Sequence, residues 1–187
     1  MSLRAFAPSC FLALLLANSA QPQSVPAWAQ DLKVAPVAVG QVKNSSAFGG
    51  RIYFASQPTE SDFAEYARLG VKTVVNLRTA DEMEKAGIAE KELASKAGLQ
   101  YHQIAFGSQP PAPEDFARIF DLLGQAADSK VLLHCASSNR VGVVWGMYRN
   151  SRHGLSPEAA VREAKAAGLT SPALEKLLRE RLQPKGQ

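Results

Sequence analysis

A cysteine and an arginine stand five positions apart in Cys135-Ala136-Ser137-Ser138-Asn139-Arg140. The preceding run, Lys130-Val131-Leu132-Leu133-His134, reads as a buried strand. The following run, with Val141, Val143, Val144, Trp145, Met147 and Tyr148, reads as a helix that is apolar nearly all round and so belongs in the protein centre. A strand that turns sharply into a helix puts the Cys135 thiol at the helix N-terminus, where unpaired N–H groups converge and carry partial positive charge. The thiolate is favoured there. An oxyanion above the sulfur is cradled by the same amides. Arg140 can offer its planar fork to two oxygens of a phosphate or sulfate, and Ser137 and Ser138 can donate to the thiolate. A nucleophile inside an anion site is what transfer of a phosphoryl or sulfur-bearing group requires. The bland alternative is a small buried cysteine with Arg140 in a surface ion pair. The strand–loop–helix context, coinciding with the Cys/Arg spacing, argues against it.

The rest of the chain must position that loop. Arg51-Ile52-Tyr53-Phe54-Ala55 is a short strand, broken by Ser56-Gln57-Pro58. Thr59 caps a helix with Glu60 and Asp62 in its first turn and Phe63, Tyr66, Ala67 and Leu69 at helical spacing. Val71 to Leu77 is a β-branched strand suited to a sheet covered on both faces. A polar loop then leads to a helix whose inner stripe is Ala89, Leu93 and Ala97. Tyr101 to Phe106 is a third strand. After the Pro-rich loop 108–113, Phe116, Ile119, Phe120 and Leu123 mark an amphipathic helix. Ser156-Pro157 and Ser171-Pro172 each open a further helix. Strands alternating with helices predict an α/β fold, a mainly parallel sheet of four to five strands flanked by helices. Ligands in such sheets bind outside the carboxyl ends of the strands, where Cys135 stands.

Residues 1–29 read as a secretory signal: Arg4 near the amino terminus, an apolar core at Phe11–Ala17, and an Ala27-Trp28-Ala29 cleavage site. The core is far shorter than the ~20 residues of a membrane span. Residues 30–47 read as a flexible lead-in, and residues 48–187 as the domain. The expected mature protein is exported and soluble, with no stable membrane insertion once the signal is removed.

Composition narrows the classes. The formal charge of +4 becomes +3 once Arg4 leaves with the signal, with no basic block, so nucleic acid is a poor partner. Three dispersed histidines form no ligand set, so no metal or cofactor is implied. Of two cysteines, Cys10 leaves with the signal. A lone thiol in an oxidising compartment is better explained by a chemical task than by packing. Oligomeric state is not legible.

His134 to Gly142 resembles the active loop of the cysteine-dependent phosphatase fold, within the tyrosine phosphatase superfamily. It is most similar to the beta-lactamase-hydrolase-like group of dual-specificity-phosphatase-like domains. Phe54-Ala55-Ser56-Gln57-Pro58-Thr59, Val74-Val75-Asn76-Leu77-Arg78 and Ala97-Gly98-Leu99-Gln100-Tyr101 fit that group too. The resemblance runs from about residue 48 to 169. It implies a three-layer sandwich and hydrolysis of a phosphate monoester, on a small molecule or a protein, through a phosphocysteine. Carried over, Cys135 is the nucleophile, Arg140 the phosphate clamp, and Ala136, Ser137, Ser138 and Asn139 the backbone donors. Three departures stand out. The usual loop has five residues between Cys and Arg, and here there are four, as in rhodanese-like sulfurtransferases. The usual glycine is replaced, so Ser138 or Asn139 must take its conformation, and Asn tolerates a left-handed backbone better. The Ser or Thr that usually follows the arginine is Val141, which predicts slow breakdown of the intermediate.

A proton donor for the leaving oxygen is also needed. The family's loop for that acid corresponds to Gly107-Ser108-Gln109-Pro110-Pro111, which has none. Asp115 is the nearest downstream candidate and Asp81 a more distant one. His134 is expected to be a buried structural group, and Arg78 either an anion ligand or the partner of Asp81, Glu82 or Glu84. Three readings remain open: a phosphatase, a rhodanese-like sulfurtransferase, and an anion-binding pseudophosphatase without turnover.

Overall fold

A computed structural model describes residue 29 and residues 32–183. The expected signal lies outside the described residues, apart from Ala29. The described chain forms one six-stranded sheet in the order β1-β2-β3-β6-β4-β5. Its strands are β1 (Val34–Pro36), β2 (Ser46–Phe48), β3 (Ile52–Ala55), β4 (Val71–Asn76), β5 (Gln100–Gln103) and β6 (Lys130–His134). The four strands β3, β6, β4 and β5 run parallel, as expected. The two amino-terminal strands add an antiparallel edge.

Both strands fall within or at the end of the expected flexible lead-in, residues 30–47, and add regular structure among its described residues. Strands of three residues leave no readable alternation, so the sequence pattern misses them. What anchors them is aromatic packing. The Phe48 ring lies 4.9 Å from the Trp145 ring, as does Phe54 on the next strand.

Seven helices cover the sheet among the described residues: α1 (Glu60–Arg68), α2 (Ala80–Ala86), α3 (Glu90–Lys96), α4 (Pro113–Gly124), α5 (Asn139–His153), α6 (Pro157–Ala166) and α7 (Pro172–Leu182). On one face, Phe63, Tyr66 and Ala94 pack against Val74 and Leu132. On the other, Ile119, Leu123, Trp145 and Leu178 pack against Phe54, Val75 and Leu133. Side chains alternate along a strand, so Leu132 and Leu133 of β6 feed opposite cores, and β6 must be the middle of a three-layer sandwich.

Helix α5 is buried along most of its length, as its apolar composition requires. Gly142 and Gly146 sit one turn apart and let α6 and α7 approach. A Cβ on Gly142 would lie 2.5 Å from the Ala164 carbonyl oxygen and 2.9 Å from the Leu169 nitrogen.

Two local readings change. The polar stretch after Arg78 is not a loop but α2, opened by a reciprocal Thr79/Glu82 capping box. The pattern Thr79-Ala80-Asp81-Glu82 carries that signature. In α3 the buried positions are Glu90 and Ala94, while Ala89 is exposed and Leu93 and Ala97 are half-buried. Leu93 and Ala97 pack against the core as the stripe predicts, but Ala89 does not, and Glu90 turns inward beside them for a reason that lies in the site.

Candidate active site

The carboxyl ends of β3, β6 and β4 meet at one edge. Ala55 and Asn76 both pair in register with His134, so the next residues, Ser56 and Leu77, flank Cys135. Leu77 N–H donates to the His134 carbonyl at 2.9 Å. A bridge between Ser56 and Ser137 ties the loop to β3. Cys135 is buried, while Ala136 and Ser137 are exposed above it.

Ser138 takes the left-handed conformation, φ +70°. This corrects the preference for Asn139 and has a physical reason. Asn139 is the first residue of α5, and its side-chain oxygen accepts from Thr170 N at 2.8 Å and Ser171 N at 2.7 Å. Its amide is therefore committed to bracing the α6–α7 turn. Ser138 makes no side-chain cap to its helix and instead donates to the Asn44 carbonyl at 3.3 Å. With no side chain capping α5, its first N–H groups stay available on the side of the loop.

Arg140 is half-enclosed and held by two elements. Its Nη1 donates to Glu82 Oε2 at 2.7 Å and to the Phe106 carbonyl at 2.6 Å. Its Nη2 donates to Glu82 Oε1 at 2.8 Å. Glu82 thus takes the guanidinium end-on. The bonds to Glu82 and Phe106 leave the Nε–H and the outer Nη2–H, the side edge of the same plane, towards the Cys135 sulfur, where the guanidinium also interacts with the thiol; that edge has the planar geometry a two-oxygen anion needs. The Arg140 bond holds the Glu82 carboxyl down at about 2, with the Thr79 N–H and the Arg78 charge adding to it. Burial works to lower the Arg140 pKa, but Glu82 and the Cys135 sulfur outweigh it and leave the guanidinium above its ordinary value. The part played by Cys135 puts the arginine beside the thiol.

Beneath the loop lies a polar cluster. His134 Nε2 and Glu90 Oε1 stand 2.6 Å apart, both fully buried. The contact is short but out of line for a hydrogen bond. Asn76 Nδ2 donates to Glu90 Oε2 at 2.8 Å and to the Tyr101 hydroxyl at 2.9 Å. A buried polar side chain needs such partners, and they lie on the inner side of α3, where Glu90 faces. His134 is buried, as expected.

Two open clefts flank the loop. One, of about 410 Å³, includes Gln57, Asp62 and Ser137 in its wall. The other, of about 400 Å³, includes Glu82, Ser108 and Arg140. Asp115 lines neither cleft; it lies 3.6 Å from Arg118 on its own helix. Asp81 sits exposed in the first turn of α2. Arg78 is taken up by Gln57 Oε1 at 2.8 Å and the Glu82 carbonyl at 2.9 Å, so Glu82 is its acidic neighbour. The loop residues 135–140 therefore come together as the spacing implied, and the candidate acids do not join them. Sequence reasoning missed Glu82 as the holder of Arg140 and Glu90 as the partner of His134. The capping-box pattern could have placed the first, and no local signal marks the second. Among the described residues no cluster of potential ligands could hold a metal ion.

Comparison with known proteins agrees with this geometry. The fold is similar to TpbA of P. aeruginosa, with a TM-score of 0.65 at 19% identity, covering 82% of this chain and 93% of that one. It is also similar to kinase associated phosphatase, whose catalytic-site residue is a cysteine, with a TM-score of 0.63 at 16% identity, covering 79% and 97%. TpbA has also been solved in complex with pTyr, and that structure aligns with a TM-score of 0.57. A beta-lactamase hydrolase-like protein of Xylella fastidiosa is 26% identical over 99 residues, 52% of this chain, and the match spans only 23% of that protein's length. The family model for the phosphatase-like domain of the beta-lactamase hydrolase-like protein matches residues 47–152. That span holds β3, β6, the whole loop and nearly all of α5, and it makes up more than half of the sequence, so the chain belongs to the phosphatase-like domain family of the beta-lactamase hydrolase-like proteins.

Proposed function

We propose that this protein is an exported phosphatase that hydrolyses a phosphate monoester through a phosphocysteine on Cys135. The observation that carries the reading is the Arg140 guanidinium held end-on by Glu82 and lying against the Cys135 sulfur, where an incoming phosphoryl group would meet both. An arginine fixed end-on is preorganised to meet two phosphoryl oxygens side-on without reorganising during the reaction. The backbone N–H groups of residues 136–139 complete the cradle. Thiolate attack on phosphorus expels the leaving oxygen and forms the S–P bond. Water then cleaves that bond and returns the thiolate. No residue called on here is a metal ligand. The pTyr complex of TpbA supports a phosphorylated substrate, and the signal pattern of residues 1–29 supports export.

The test is hydrolysis of an aryl phosphate by the mature protein, inhibited by vanadate, with a trapped phosphocysteine seen by mass spectrometry. Activity that survives in Cys135→Ser refutes the reading. The four-residue loop favours a second reading, a sulfurtransferase. A cyanide-releasable persulfide on Cys135 after thiosulfate treatment would establish that one instead. Stabilisation by phosphate with no substrate consumed would mark an anion-binding module.

A further inference from the structure

Each cleft beside the Cys135 loop has a single carboxylate in its wall, and each of these is bound by donors alone. Glu82 Oε2 accepts from Arg140 Nη1 and from Thr79 N at 3.0 Å, and Oε1 accepts from Arg140 Nη2. Asp62 is fully buried. Its Oδ1 accepts from Gln41 N at 2.7 Å, and its Oδ2 accepts from Thr59 N at 2.9 Å and the Thr59 hydroxyl at 2.8 Å. An acid proton on either group would have to displace one of these donors. Both are committed acceptors and neither can hand a proton to a departing oxygen. The loop between β5 and α4 that borders the Arg140 cleft, Gly107 to Ala112, has no acidic residue. Asp115 is turned to Arg118. His134 lies sealed under the loop.

From this we infer that the site cleaves phosphoryl donors whose leaving group departs as a stable anion, namely aryl phosphates, acyl phosphates and phosphoric anhydrides. Alkyl esters such as sugar, glycerol and serine phosphates are poor substrates. The inference rests on the phosphocysteine reading above and names its substrate class. In the first step the Cys135 thiolate forms the S–P bond, and the P–O bond breaks with its electron pair leaving on the departing oxygen as R–O⁻. Solvent protonates that anion afterwards. In the second step water adds to the S–PO₃²⁻ group, the S–P pair returns to sulfur, and the water protons leave on the product as H₂PO₄⁻. Neither step needs a protein acid. A positioned acid is worth about 10²–10⁴-fold where the leaving group is basic, and little where it is already stable as an anion. Its absence among the described residues therefore acts as a filter on substrate class.

The experiment measures kcat/KM, which reports the first step, for the mature protein. Probes are dinitrophenyl, nitrophenyl and phenyl phosphate, acetyl phosphate, and glycerol phosphate. The expected result is a steep, monotonic fall as the leaving-group pKa rises, with glycerol phosphate at least about 10²-fold below nitrophenyl phosphate. Asp115→Asn is expected to leave that slope unchanged. A flat series with glycerol phosphate cleaved as fast as nitrophenyl phosphate overturns the inference, as does a slope that steepens in Asp115→Asn. Cys135→Ser run on the same series separates the two levels. If it abolishes turnover while the wild-type slope is flat, only the substrate inference falls. If it leaves turnover intact, the phosphocysteine reading itself falls.

Discussion

Replacing Glu82 by Gln removes the charge that holds Arg140 and keeps the side chain's size. In the folded protein the Arg140 bond draws the Glu82 carboxyl from 4.5 to about 2. The folded state therefore stays unprotonated at this position down to about pH 2, whereas the unfolded chain takes up a proton below about 4.5. The stabilisation is complete above pH 4.5 and is lost as pH falls from there towards 2. At ~1.36 kcal/mol per pH unit the ceiling is about 3.4 kcal/mol. A third of the Glu82 side chain is exposed, and solvent screening cuts the figure to roughly 1–2 kcal/mol. Urea unfolding of wild type and Glu82→Gln at pH steps from 7 to 3 reads it directly. The gap should be about 1–2 kcal/mol at pH 7 and 5.5, and should close as the pH drops. A gap independent of pH, or none at neutral pH, refutes the claim that charge pairing with Arg140 holds this carboxylate. The same variant should lose phosphatase activity even at pH 7, because an arginine released from its end-on clamp no longer aims its side edge at the cradle.

Arg140→Lys should lower kcat/KM by at least about 10²-fold, since a lysine offers a point charge in place of the planar fork; an aryl phosphate assay measures it. Glu90→Gln disturbs the fully buried contact with His134 and the Asn76 bond beneath the loop, and upsetting buried polar groups in this way costs about 1–3 kcal/mol; a shift in the urea midpoint would show this. Gly142→Ala should be destabilising by about 1–3 kcal/mol through overpacking against the Ala164 carbonyl, although alanine favours a helix by about 1 kcal/mol; an unchanged or raised thermal midpoint would contradict the close approach of α5 and α6.

The alternation of strands and helices, the strand-end position of Cys135 and the helix behind it were legible because each rests on local pattern. Val71–Asn76 is rich in β-branched residues, Lys130–His134 holds the apolar run Val131-Leu132-Leu133, and Phe116, Ile119, Phe120 and Leu123 keep helical spacing. The two amino-terminal strands were not legible, because their stability comes from Phe48 reaching Trp145 across the chain. Glu82 and Glu90 show the same limit more sharply. Each looks like one more exposed acid on a charged helix, and its role comes from a partner more than 40 positions away. Pairing of that kind leaves no trace in spacing. What was legible at the site is therefore the reacting loop, and what was not is the set of groups that hold it.

Ser138 is held by a further pair of distant residues, Asn44 and Gly168. A non-glycine residue in the left-handed region costs about 1–2 kcal/mol, yet Ser138 keeps φ +70° and is fully buried. Its hydroxyl bond to the Asn44 carbonyl returns roughly 0.5–1.5 kcal/mol. Its Cβ also fills the space next to Gly168, where an added Cβ would come within 2.5 Å of it. Ser138→Gly relieves the backbone strain, loses the bond, and adds about 0.5–1 kcal/mol of chain entropy to the unfolded state. These nearly cancel, so stability should change by less than about 1 kcal/mol in urea unfolding. Gly168→Ala meets the Ser138 side chain and is strained at its own φ of +109°, and it should cost more than about 2 kcal/mol. Combining it with Ser138→Gly should recover the part due to the collision and none of the part due to strain. A loss above about 3 kcal/mol from Ser138→Gly alone would mean that the hydroxyl bond to Asn44, rather than the backbone conformation, is what holds the short loop in shape.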